Sequence, residues 1–155
     1  MSESGAPQQE RRPASVALRS IDGLAAHEIV GAAVRHAVSL GIRINAAVVD
    51  PCGVLIAFLR MPGAPLHSIE IAIDKAYTAA SFGLPTGAWS TVLEAHAPAV
   101  RQGLVLRPRF IAFGGGLPIV EGGERLGGVG VSGGSESEDE ACARAGLAAL
   151  GLAAE

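Results

Sequence analysis

At 155 residues, 49% of them apolar and 17% charged, the chain can bury one core and is too apolar to stay unfolded. A formal net charge of −3 argues against a nucleic-acid partner, which would demand a basic face. No apolar run reaches the ~18–20 residues of a membrane span, and the opening residues lack the charged-then-apolar order of a secretion signal, so a cytoplasmic protein with no membrane partner is expected.

Residues 1–14 are Ser, Glu, Gln, Pro and Arg with little to bury and read as a disordered tail, leaving one domain over 20–151. Val30, Val34, Ala37 and Gly41 recur at helical spacing and predict a helix over 22–40, capped by Ser20 or Asp22 and ended by Gly41. Two β-rich apolar runs, 44–50 and 54–60, flank Asp50-Pro51-Cys52-Gly53, a turn sequence, and predict a hairpin. Both faces of these strands are apolar, so each face needs cover, one of them from a second subunit.

A helix over 66–82, stopped by Gly83 and Pro85, sorts into three stripes at ~100° per residue. Ile69, Ala72, Ile73, Ala76 and Ala80 form the core side, and Glu70, Asp74, Tyr77 and Ser81 a solvated one. His67, Ile71, Lys75, Thr78 and Phe82 make a third stripe of mixed chemistry. Residues 86–97 read as a short helix, 98–108 as irregular and 110–113 as a strand. A hairpin over Gly122-Gly123 joins strands at 117–121 and 124–132. Ser135 and Glu138 form a capping-box pattern that opens a last helix over 136–150.

Chemistry is harder to place than structure. The glycines at 127, 128, 130, 133 and 134 resemble a phosphate loop but lack the Lys-Ser/Thr that follows one. They read as close packing of a strand against a helix, with Gly133 and Gly134 able to form an anion-accepting nest. His67 shares a helix face with Lys75 and Thr78. If that face lines a cleft, Lys75 can meet a carboxylate or enolate while His67 moves a proton or binds a metal. The competing reading is a lysine that snorkels from a packed helix, with His67 merely starting it. Glu136, Glu138, Asp139 and Glu140 suit the positive end of a helix dipole. Cys52 and Cys142 have no spacing of a zinc or redox site, though Cys52 lies in a turn that can expose it.

Several motifs stand in order along the chain: Asp50-Pro51-Cys52-Gly53, Arg60 to Pro65, Lys75-Ala76 with Thr78-Ala79-Ala80, Gly115-Gly116-Leu117-Pro118-Ile119, and Gly127 to Gly133. Together they resemble the GlcG/HbpS family of haem-degrading-domain proteins, related to the carboxy-terminal domain of PduO. The resemblance spans roughly 20–150 and implies an α/β (α+β) profilin-like fold, with about five antiparallel strands and helices on both sides. It also implies a homo-oligomer and haem as a cofactor, with a pocket between the second helix and the Gly-rich strand ends. Arg60, Met61, His67, Lys75, Thr78, Gly115, Gly116, Pro118, Gly133 and Gly134 are its candidate ligand-binding residues, and His67 the candidate iron ligand, followed by Met61. Two other functions stay open. One is a metal-free accessory protein that binds a polycyclic or aromatic metabolite and assists a pathway enzyme, as in secondary metabolism. The other is an isomerase in which Lys75 stabilises an enolate and His67 shuttles a proton.

Overall fold

The computed structural model describes residues 11–152, so most of the expected tail, 1–10, lies outside the described residues. Residues 11–14 are exposed and form neither helix nor strand. The first helix, α1 (Gly23–Leu40), starts where Asp22 accepts the amides of Leu24 and Ala25, and ends where Gly41 turns left-handed at φ 70°. Strands β1 (Asn45–Val49) and β2 (Leu55–Arg60) follow. Their turn closes through the Gly53 amide on the Asp50 carbonyl, 3.0 Å, while the Asp50 carboxylate takes the amides of Cys52 and Val54. After α2 (His67–Phe82) come a 3-10 turn (Thr86–Ala88) and helices α3 (Trp89–Glu94) and α4 (Pro98–Leu104). Strands β3 (Gly116–Glu121) and β4 (Glu124–Ser132) and helix α5 (Glu136–Ala148) are the last elements among the described residues.

The sheet is antiparallel throughout, in the order β2-β1-β4-β3, with helices on both faces. It has four strands rather than about five, because residues 110–113 form none. Phe110 packs edge-on against Phe82 and Trp89, and the Ile111 amide bonds the Thr78 hydroxyl instead of a neighbouring strand. Residues 98–104, expected to be irregular, form α4, with Pro98 in the first turn, where its missing N–H costs nothing.

Two apolar layers result. On one face Ala46, Val48, Leu117, Ile119, Val129 and Val131 meet α1 and α5 through Ile29, Ala33, Cys142, Ala143 and Leu147. On the other, Ala47 and Val49 meet Ala72, Ala76 and Ala80 of α2. A Cβ at Gly130 would overlap the Ala72 carbonyl, and one at Gly128 the Ala76 carbonyl. The glycines therefore let the α2 backbone lie directly on the sheet, as the packing interpretation of them expected. Strand β1 is buried along its whole length, whereas edge strand β2 leaves Leu55, Ile56 and Leu59 exposed.

Candidate functional site

Helix α2 carries polar groups at three places, each with a different environment. Near its middle, Lys75 is 1% exposed and Asp139, at the start of α5, 3%. The Lys75 ammonium donates to the Asp139 carboxylate at 3.0 Å and to the Val131 carbonyl at 2.8 Å. The Phe113 ring lies 5.0 Å away and covers it from another side. Asp139 also accepts the Gly134 amide at 2.8 Å. Burial pushes the Lys75 amine down and the Asp139 carboxyl up, and each partner's opposite charge opposes that shift.

The pair joins the two helix layers around the end of the sheet, and glycines clear its path. Gly115 has φ 124°, and a Cβ there would meet the Val131 carbonyl, the Lys75 ammonium and the Asp139 side chain. Gly114 donates to the Glu136 carboxylate and Gly116 to the Thr86 hydroxyl. A Cβ at Gly133 would strike the Arg43 carbonyl. Pro118 sits on the outer strand β3 opposite Gly128, where its lack of an N–H is tolerated. The structure thus brings Lys75, Gly115, Gly116, Gly133 and Gly134 together, around Asp139. That partner was missed because its acidic neighbours suggested only dipole stabilisation. Its position three and four residues before the buried Cys142 and Ala143 was the available signal.

Thr78, in the next turn, is buried and serves as a clasp. Its hydroxyl donates to the Arg109 carbonyl at 2.9 Å and accepts the Ile111 amide at 3.1 Å. Arg60 and Met61 lie across the sheet from the pair, at the end of edge strand β2, where Arg60 stands opposite Asn45 and Asn45 opposite Ser132. The Arg60 guanidinium donates to the Asn45 side-chain oxygen at 3.2 Å and the Ala64 carbonyl at 2.6 Å. The Met61 sulfur accepts the Ile44 amide at 3.4 Å and packs on the larger core.

His67 stands apart from all of these. It is exposed at the start of α2, and its imidazole makes no hydrogen bond among the described residues. It opens onto a groove of about 460 Å³ lined by Leu66, His67, Ile69, Glu70, Ile71 and Asp74. Lys75 points inward and His67 outward, so the two do not converge on a shared cavity among the described residues. Nor does any group of three or more His, Cys, Asp and Glu side chains there form a cage for a bare metal ion.

Residues 21–148 match the family model for haem-degrading HbpS-like proteins. The chain belongs to the HbpS-like family. It is 33% identical over 126 residues to the corrinoid adenosyltransferase PduO of Salmonella typhimurium, covering 81% of this chain and 38% of that protein. The chain thus spans well under half the length of that relative. A crystal structure described as a PduOC:heme complex superposes with a TM-score of 0.80 at 30% identity, over 88% of this chain and 99% of the other. An HbpS double mutant from Streptomyces reticuli gives 0.78 at 32% identity, over 96% and 99%. The family expected from the motifs is therefore the right one, and the fold is shared along nearly the whole HbpS-like unit. Among the described residues no helix is long and apolar enough to cross a membrane.

Proposed function

We propose that this HbpS-like chain binds haem, or a ligand of similar flatness, along the outward side of the first half of α2, with His67 as the iron donor. The observation that carries this reading is an exposed, unbonded imidazole at the end of an open groove with Leu66, Ile69 and Ile71 along it. A porphyrin supplies four nitrogens to its iron, so a single protein donor is enough where a bare ion would need several. Bound haem would contribute redox and ligand-binding chemistry at its iron. The residues here would orient the ring: the aliphatic side chains offer one face, and Glu70 and Asp74 direct the acidic edge of the ligand away from themselves.

In this reading Lys75, Thr78, Gly115, Gly116, Pro118, Gly133 and Gly134 hold α2 in place, and Arg60 and Met61 fix the loop that leads into it. A groove with one wall leaves the other face of a flat ligand bare, so a second copy of the chain closes it. The exposed Leu55, Ile56 and Leu59 of β2 support a homo-oligomer on independent grounds.

Titration of the protein with haemin tests the reading through the Soret band. Saturation near one haemin per chain is expected, and His67→Ala should remove the axial-ligand signature and weaken binding by about tenfold or more. An unchanged spectrum and affinity in His67→Ala would remove the assignment of His67. Absence of any saturable band would remove haem itself.

A further inference from the structure

The other end of α2 holds a second, smaller hollow. Tyr77, Thr78, Ser81 and Phe82 form one side, and residues 104–110 fold over the other. Its volume is about 120 Å³, near the ~150 Å³ cavity known to admit one benzene ring, and far too small for a porphyrin. Its walls are chiefly rings and aliphatic carbons from Phe82, Phe110, Leu104 and Pro108. Phe82 and Phe110 are held edge-on to Trp89, at 4.7 and 4.9 Å between centroids, so the aromatic wall is fixed before any ligand arrives. Phe82 nonetheless remains 44% exposed, an unusual state for a ring in a packed trio.

Two guanidinium groups stand at the mouth. Arg109 lies over the Tyr77 ring, 3.6 Å from its centroid, and donates through Nε to Asp74 at 2.9 Å. Its backbone is left-handed, φ 67°, the only such non-glycine among the described residues. Thr78 holds it there by taking up the adjoining carbonyl and the Ile111 amide. Arg107 is exposed and its side chain has no hydrogen bond or ion pair among the described residues. Asp74 offsets the charge of Arg109, and Arg107 is left as a cation with no ion-pair partner among the described residues, so the lining keeps a net positive charge.

From this geometry we infer a binding site for a small aromatic carboxylate, a single ring bearing one acidic group. The ring fills the aromatic hollow, and the carboxylate meets the Arg107 guanidinium at the rim. The hollow lies about three helical turns from His67 and shares no lining residue with the proposed haem groove; Asp74, which lines the groove, reaches the hollow's mouth only as the partner of Arg109.

Benzoate is the probe, and Trp89 the reporter, being the only tryptophan and in contact with the Phe110 wall. Benzoate should change the tryptophan fluorescence saturably. Benzyl alcohol, with the same ring and no charge, should bind about three- to tenfold more weakly, and acetate should give no saturation. Arg107→Gln, at an exposed position that should not disturb folding, should weaken benzoate by a similar factor while leaving benzyl alcohol unchanged. His67→Ala should leave the benzoate curve where it was, which separates this site from the haem reading. No saturable response to benzoate overturns the inference, as does equal affinity for benzyl alcohol or an unaltered benzoate curve in Arg107→Gln.

Discussion

The two halves of α2 differ in what covers them. Along the first half the side that carries His67, Glu70 and Ile71 faces an open groove. Along the second half the segment that leaves α4, residues 104–113, lies over the helix, and Thr78 binds it down. His67, Lys75 and Thr78 belong to one stripe of the helix, yet one is exposed and two are buried. A helix face therefore has no fixed environment of its own. What crosses it decides whether a polar side chain there becomes a ligand, a structural tie or a clasp.

Lys75 gives the sharpest test of that division. Replacing it with Met leaves the Asp139 carboxylate buried beside the backbone amides of Gly133 and Gly134 with no cation, and breaking a buried pair from one side costs about 3–5 kcal/mol. Urea unfolding of Lys75→Met should show a loss of that size. The double variant Lys75→Met/Asp139→Leu should recover much of it, since an apolar pair leaves no charge uncompensated. A single variant within ~1 kcal/mol of the parent would mean that the pair is not what ties the two helix layers together.

Thr78 should matter less, and in a more local way. Thr78→Val keeps the shape but strands the Arg109 carbonyl and the Ile111 amide, at a cost of about 1–3 kcal/mol. Limited proteolysis should then cut within residues 104–113 at protease concentrations that spare the parent. Equal resistance in both proteins would show that the aromatic contacts of Phe110 alone hold the segment.

These two side chains also mark the limit of what could be read from the sequence. Asp22, Gly41 and the Ser135–Glu138 capping box fixed helix ends correctly because each acts within a few residues of itself. The glycines of β4 were readable as packing because a strand with no side chains on one face must lie against something. The Lys75–Asp139 pair spans 64 positions, and helical spacing in α2 says nothing about which acid will meet the amine. Residues 110–113 failed as a strand for a related reason. Their short apolar run fits a strand, but Phe110 finds two rings and Ile111 a hydroxyl, all contributed by elements earlier in the chain. The exposure of His67 was equally out of reach, since it depends on no described residue crossing the start of α2.

The two cysteines repeat the contrast between open and covered at the smallest scale of effect. Cys52 is exposed in the β1–β2 turn, whereas Cys142 is buried between α5 and the sheet. Burial, reinforced by the nearby charges of Asp139 and Glu138, pushes the Cys142 thiol up to about 11 from 9.0. An aromatic disulfide reagent should titrate one thiol promptly in the native protein and the second only after denaturation, because the thiolate is the reacting form. The same shift has a sign in stability. A folded-state value above the unfolded one favours the native protein fully below pH 9.0, and the benefit is lost as pH rises through about 11. Cys142→Ala should therefore flatten the alkaline limb of the stability curve while Cys52→Ala leaves it unchanged. Two promptly reacting thiols in the native state would show that the layer between α5 and the sheet opens far more readily than its packing implies.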